Sequence, residues 1–432
     1  MKKYQKVLTL IMVFAIILST NVFAVQIVNV KHNNTKEEIV EIVKKYPHTA
    51  FDGQSARYNE TPKFTSPYYA GSIDQRDLDD ALNAVKVVRY LAGVPYENIK
   101  FTDELNNIAQ HGAVLMAASN QFTHTPYQPD DMSNDFFKLG YKGCKEANIN
   151  AGRNNLASAV TGFIFDNGKN NITRVGHRRW ILKPGATNFG MGYAQSSNAS
   201  YNGRRISMYV RDGLAYWECE SDSYIAWPAA GDFPIQYFAA SNDISDTIVS
   251  PWSINLGAQY SEPSKNKEVV KLTRKSDNKV WIFDKNTPDL GTEGLSDTKL
   301  HLAVDNDGYG ITKAIVFRPD PNTLGTIKDG DVFTVEVSGI TNKYGQATTL
   351  KYDINFFDLE KEIEKSNSLC GDVNDDNIVD RKDLTRLSQY FARWDVEINK
   401  VYADANGDNK VDRKDLTRLS QYFARWNVEL GK

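Results

Sequence analysis

The sixteen residues VDRKDLTRLSQYFARW occupy positions 379–394 and return unchanged at 411–426, 32 positions later, near the end of a chain of 432 residues. Half a structural unit of this kind cannot bury the apolar side of its helix alone, so two copies must pack on one another. Leu384, Leu387, Phe391 and Trp394 recur at helical spacing and supply that side in the first copy. Each copy is preceded by a comb of oxygen-bearing side chains. The first reads Asp372, Asn374, Asp376, Asp380 and Asp383, and the second Asp404, Asn406, Asp408, Asp412 and Asp415.

Counted from its first Asp, each comb falls on positions 1, 3, 5, 9 and 12 of a loop, the side-chain ligand positions of an EF-hand. Ile378 and Lys410 hold the seventh place, which offers a backbone carbonyl. A hard cation takes about six to eight oxygens, and a curled loop turns alternate residues inward to supply them. Asn377 and Asn409 stand at the sharp sixth position, where Gly is usual and where Asn tolerates left-handed backbone. No incoming helix precedes either loop: Cys370 and Gly371 abut the first and a short connector, 401–403, abuts the second.

This paired arrangement resembles a type I dockerin over residues 369–432. The resemblance implies a small all-α module with two calcium ions and a cohesin domain of a scaffoldin as its partner. It implies partner contacts at loop positions 10 and 11 and farther along the helix. Here those are Arg381, Lys382, Ser388, Gln389 and Arg393, with Arg413, Lys414, Ser420, Gln421 and Arg425 in the second copy. Near-identity of the copies implies two related binding orientations. Many dockerins carry small hydroxyl residues at positions 10 and 11, and the Arg-Lys pairs found instead point to a more acidic partner surface.

At the other end, Lys2, Lys3 and Lys6 precede the apolar run 7–18, and Val22-Phe23-Ala24 offers small residues for cleavage. This is the pattern of a signal peptide, residues 1–24, which predicts a secreted, extracellular protein. The run is too short to span a bilayer, and no later stretch is long enough, so no transmembrane segment is expected after cleavage. Loss of the three leader lysines leaves 48 basic against 54 acidic residues. So mild an acidity gives no electrostatic case for nucleic acid. Cys144, Cys219 and Cys370 are the three cysteines. They allow at most one internal disulfide, of undetermined pairing, so the fold must rest on apolar cores or calcium.

Residues 25–73 read as an N-terminal extension with a helix over Lys36–Lys45. From Asp74, Leu78, Leu82, Val85, Val88 and Leu91 mark a helix ended by Gly93 and Pro95. A second helix starts at a Thr102 or Asp103 cap and runs to about Ser119, and a third lies near 156–166. After Asn188 the pattern turns to alternating strands such as RISMYVR (205–211) and VFTVEVSGI (332–340). Residues 241–357 lack helical periodicity and read as a β-sandwich-like accessory region. Residues 358–368 read as a charged linker or short helix.

Four stretches between 74 and 240 carry residues suited to bind metal or move a proton: QFTHTP with His124, KEANIN with Glu146, VTGFIFD with Asp166 and VGHRRWILKP with His177. Imidazole and carboxylate suit zinc, and two of each could fill a tetrahedral shell or leave a place for water. Each has a plainer reading as a cap, a turn residue or a core hydrogen-bonding group. Arg178 and Arg179 would oppose a cation, or pair with carboxylates. No HExxH and no GxSxG in a strand-turn-helix setting is present. Paired carboxylates about 5 to 10 Å apart, as in glycosidases, cannot be selected from 54 acids.

In order and wording these stretches resemble the CAP superfamily, the pathogenesis-related-1-like or SCP fold, in its bacterial form. THTP is similar to its first His motif, EANI to its acidic motif, and VGHRRWILKP with FGMGY to its second His motif. The resemblance implies an α-β-α sandwich over 74–240 with a groove around His124, Glu146 and His177. Asp166, three residues after Phe163, stands in for an acid that the family often has three residues after a Trp. The whole chain is therefore expected to be α+β: CAP-like sandwich, β-rich region and dockerin, assembled in a cellulosome. Three readings stand for the first unit: a binding module for lipid, wall polymer or polysaccharide; a metal-assisted hydrolase of peptide or polysaccharide; and a non-catalytic structural part. IAWPAAGDFPIQYF (225–238) reads as a Pro-rich turn packing Trp227 against the domain.

Overall fold

The computed structural model describes residues 26–28, 32–51, 53–168, 171–197, 203–211, 224–238, 250–290 and 300–431. The expected leader and its cleavage point, Cys219 and the expected junction at 240 lie outside the described residues. From the N-terminus come β1 (Gln26–Val28), α1 (Lys36–Lys45), β2 (Tyr58–Glu60), β3 (Ser72–Ile73), α2 (Gln75–Leu91), β4 (Lys100–Phe101), α3 (Asp103–Ala118), α4 (Asn134–Lys145), β5 (Ala147–Ala151), α5 (Leu156–Phe165), α6 (Gly176–Ile181), β6 (Asn188–Gln195) and β7 (Arg204–Tyr209). Next follow β8 (Tyr224–Trp227), β9 (Gly231–Pro234), β10 (Trp252–Leu256), β11 (Val269–Arg274), β12 (Lys279–Phe283), β13 (His301–Asp305), β14 (Ala314–Arg318), α7 (Pro321–Leu324), β15 (Val332–Thr341) and β16 (Ala347–Phe357). The chain closes with α8 (Leu359–Ser368), α9 (Arg381–Phe391), α10 (Lys400–Ala403) and α11 (Arg413–Phe423).

Side-chain caps set several helix starts. Asp74 accepts from the Arg76 amide at the head of α2, and Thr102 from the Leu105 amide at the head of α3. Ser133 does the same for α4 through the Phe136 amide, a helix whose start signal went unread in the sequence.

The first unit is a four-stranded sheet in the order β4-β6-β7-β5. Its strand β6 explains the layering. Phe189, Met191 and Tyr193 share a core with the apolar residues of α2 and α5, whereas the intervening Gly190 and Gly192 lie under α3. A Cβ on Gly192 would stand 2.2 Å from the Ala109 carbonyl oxygen, so only glycine lets the helix backbone approach the strand so closely. Helix α4 presses equally close on α3, where a Cβ on Gly143 would stand 2.1 Å from the Ile108 carbonyl oxygen. Helices therefore cover both faces of the sheet, giving an α-β-α sandwich.

The second unit is β-rich, with a six-stranded and a four-stranded sheet. Their inner faces meet through aromatic contacts such as Trp252 to Phe333 and Phe283 to Phe317, and β16 alternates buried and exposed residues accordingly. The 225–238 segment, read as a Pro-rich turn of the first unit, instead forms two strands that belong here by hydrogen bonding: β8 pairs with β10, and β9 runs parallel to β16. The reason is local apolarity, since Trp227 and Phe233 are fully buried and stack edge to face. Strand β1, from the expected extension, also pairs with β16. One continuous apolar core runs from Ile39 in α1 through Trp252 to Leu359, so the β-rich part is joined to the first unit and is not a loose appendage.

The 358–368 stretch resolves into helix α8, seated on α1 by a Lys36–Glu362 ion pair of 3.2 Å and a Lys44 Nζ to Ser366 Oγ hydrogen bond of 2.7 Å. Beyond it, α9 and α11 pack together around Val373, Leu387, Ala403, Ala405 and Leu419, all fully buried. Burial of each leucine contributes roughly 1.5–3 kcal/mol. The repeat thus buries its apolar side against its own copy. Trp394 departs from the expected stripe: α9 ends at Phe391, Arg393 takes a left-handed φ of 61°, and the indole is 62 % exposed. Trp426 is exposed to the same extent in the second copy. Among the described residues no helix is long and apolar enough to cross a membrane.

Candidate functional site

His124 lies in the loop that follows α3, and its Nδ1 bonds the Cys144 carbonyl at 2.8 Å. The residue is exposed, yet partial burial lowers its pKa, with the nearby His177 acting in the same direction and the Cys144 carbonyl against it. Glu146 caps the C-terminus of α4, two residues beyond that carbonyl, and accepts a hydrogen bond from the Tyr209 hydroxyl at 2.5 Å. Burial and the Glu146 carboxylate both push the Tyr209 phenol well above its ordinary pKa, so it stays a donor.

Asp166 closes α5 in the left-handed conformation, with φ 48°, and is buried. One of its carboxylate oxygens meets His177 Nδ1 at 2.9 Å, and the other accepts from the Arg178 amide at 3.2 Å. His177 follows Gly176 in α6, its ring 5.1 Å from the ring of Phe163. Its carbonyl accepts from Asn148 Nδ2 at 3.0 Å, which ties α6 to β5 immediately after Glu146. Residues separated by 53 positions in sequence are thus gathered at one end of the sheet.

The arrangement departs from a four-ligand zinc shell. Both oxygens of Asp166 are engaged behind His177, so this acid orients the imidazole and does not stand beside it as a ligand. Among the described residues no group of three or more His, Cys, Asp or Glu side chains is set to hold a metal. The residues do not fit zinc in the expected form. Of the arginines beside His177, only Arg179 pairs with a carboxylate among the described residues, as one expectation had it. Arg178 turns away from the site into a cage of carbonyls and hydroxyls, and Arg179 does the same with one carboxylate, Asp305, at 3.5 Å. Cys144 is buried with its thiol against the Gly112 carbonyl, and burial lifts its pKa to about 12, which removes it as a nucleophile. The participation of Tyr209, Asn148 and the Cys144 carbonyl was not read from sequence, since none has a motif of its own.

In the C-terminal loops the comb residues are drawn inward. Asp372 accepts from the amides of Asp376 and Asn377, and Asp383 from those of Asn374 and Asp380. Asp404 and Asp415 repeat the pattern in the second loop. Asn377 and Asn409 take φ values of 64° and 62°, as the sharp sixth position requires. Burial, and then the neighbouring carboxylates, raise the pKa of Asp372 and Asp415. Crowded, half-dehydrated carboxylates of this kind are what a divalent oxygen-seeking cation relieves, so the loops fit calcium. Arg381, Lys382 and Arg393, like Arg413, Lys414 and Arg425, are exposed, with Ser388 and Ser420 alongside and Gln389 and Gln421 half-buried.

Residues 82–220 match the Cysteine-rich secretory protein family, the CAP domain, and residues 370–424 match the Dockerin type I domain. The chain therefore contains a CAP domain within 82–220 and a C-terminal type I dockerin within 370–424. Type I dockerins bind calcium, take a cohesin as partner and occur in secreted cellulosome components. Neither the curated proteins nor the solved structures contain a match to the chain.

Proposed function

We propose that this protein is an exported cellulosome component. Residues 1–24 direct secretion, the dockerin plugs into a scaffoldin cohesin, and the CAP domain presents a polar site for a hydroxyl-rich ligand of the plant cell wall. In the dockerin, the two combs with the Ile378 and Lys410 carbonyls hold two calcium ions, and the exposed Arg-Lys pairs meet an acidic cohesin surface. The observation that supports the ligand reading is the fixing of both imidazoles by Nδ1, His124 on a carbonyl and His177 on Asp166. Each ring then has Nε2 left for a ligand, and with the Glu146 carboxylate, held by Tyr209, these groups supply acceptors and donors suited to sugar hydroxyls.

The test is retention of the full chain on insoluble cellulose, xylan and pectin, beside His124→Ala, Glu146→Gln and His177→Ala. Each lost hydrogen bond is expected to weaken retention by about 2- to 10-fold. Equal retention of all variants on every matrix, or none by the parent chain, would remove this reading. The Asp166–His177 pair favours one alternative, a hydrolase in which His177 takes a proton from water while Asp166 holds its tautomer. Release of soluble fragments by the parent chain and not by Asp166→Asn would favour it.

A further inference from the structure

Helix α6 carries His177 but has only six residues, and no side chain caps its start. So short a helix does not hold itself, because nucleation outweighs the few hydrogen bonds gained. Its N-cap, Val175, sits in the left-handed region with φ 44°, an outlier for a β-branched residue. What holds this conformation lies in the β-rich unit. Val175 is fully buried against Ala314 and Val316 of β14. A Cβ on Gly176 would meet the Tyr309 ring at 2.9 Å, and a Cβ on Gly310 would meet the Trp180 ring at 2.8 Å.

Arg178 completes the grip. Its Nε donates to the Ile164 carbonyl at 2.7 Å and its Nη2 to the Phe165 carbonyl at 3.0 Å, both at the end of α5 that carries Asp166. The same guanidinium reaches Ser250 Oγ, Pro251 O and Ser253 Oγ, each at 2.8 Å, in and beside β10. Arg179 grips the turn after β13 through the Asp307 and Ile311 carbonyls. Residues on either side of His177 therefore face the β-rich unit, while His177 itself is held by Asp166.

We infer that the β-rich unit sets the CAP-domain site: Arg178 and Arg179 are positioning residues that lock the Asp166–His177 pair, and the site is incomplete without residues 250–253 and 307–316. This rests on His177 being a site residue, but its test reads geometry and needs no ligand.

Full-length protein labelled with nitrogen-15 in its six histidines would be examined by NMR, with His177→Gln to assign the signal. In the parent chain His177 should show a protonated Nδ1 and an unprotonated Nε2. Ser250→Ala with Ser253→Ala, which removes two acceptors of Arg178 in the β-rich unit and the Ser250 bond to the Phe165 carbonyl, and separately Arg178→Lys, should lose that signature or split it between tautomers. The half-buried His48, bonded to Tyr237 at 2.6 Å elsewhere in the fold, reports that the protein is still folded. An unchanged His177 signature in the double serine variant and in Arg178→Lys would overturn the inference. If Arg178→Lys does not fold, the serine variant decides alone.

Discussion

Replacing Gly192 by Ala tests the layering that brings the site together. The added Cβ would lie 2.2 Å from the Ala109 carbonyl oxygen, 2.3 Å from its carbon and 2.4 Å from the Gln110 nitrogen. Ordinary contact begins at 3.4 Å, so α3 must retreat by about 1.2 Å from the strand. The obstructing atoms are helix backbone, which cannot rotate aside as a side chain would. The cost should therefore fall at the upper end of overpacking, roughly 3 kcal/mol, or a fall in Tm of roughly 6 to 12 °C. The same movement would carry the loop after α3, and His124 with it, away from the Cys144 carbonyl. Differential scanning calorimetry of the full chain at fixed calcium reads the first effect. Gly168→Ala, where nothing stands within 4 Å of the new atom, is the control and should be near neutral. A Gly192→Ala protein that melts within a degree of the parent would refute the close seating of α3 on β6.

Acid should destabilise the β-rich unit through His301. This side chain is fully buried, its Nδ1 accepts from the Leu290 amide, and burial lowers its pKa to about 4. The unfolded chain takes up the proton near pH 6.5 and the folded one only near 4, so stability present above pH 6.5 is lost as pH falls across that window. The loss should reach up to roughly 3 kcal/mol, and urea titrations of His301→Gln should show a flatter pH profile; an equal slope would contradict this. Calcium chelation should abolish capture of the chain by its cohesin and lower the melting of the dockerin alone. At a hundredfold excess over Kd each of the two ions stabilises that module by about 2.7 kcal/mol, while the larger CAP and β-rich transition stays in place. Capture that survives chelation would contradict the loop assignment.

The dockerin was legible because its information is local. The comb, the sixth-position asparagines and the exit helix all act within one loop and one helix, where spacing alone fixes which atoms face inward. Caps at Asp74 and Thr102 were legible for the same reason. The motifs around His124, Glu146, Asp166 and His177 named the residues, but their roles depended on the fold. Asp166 proved to stand behind His177 because the left-handed turn at the end of α5 aims its carboxylate at Nδ1 and at the next amide.

Other features had no local signature. Trp394 has the spacing of a core residue, and only the chain reversal at Arg393 puts it outside. Strands β8 and β9 adjoin the first unit in sequence and pair with β10 and β16, the latter more than 100 positions away. Arg178 is the clearest case. Its main acceptors are backbone carbonyls and serine hydroxyls as far as 75 positions distant. Every residue has a carbonyl, so no pattern of side chains can announce such a bond. Sequence by itself determined the dockerin's paired loops and helices, since these are written in short-range periodicity, and its motifs singled out the candidate site residues. Tertiary structure alone decided which groups orient His177 and that a second unit grips its helix, because those contacts depend on backbone atoms brought together only by folding.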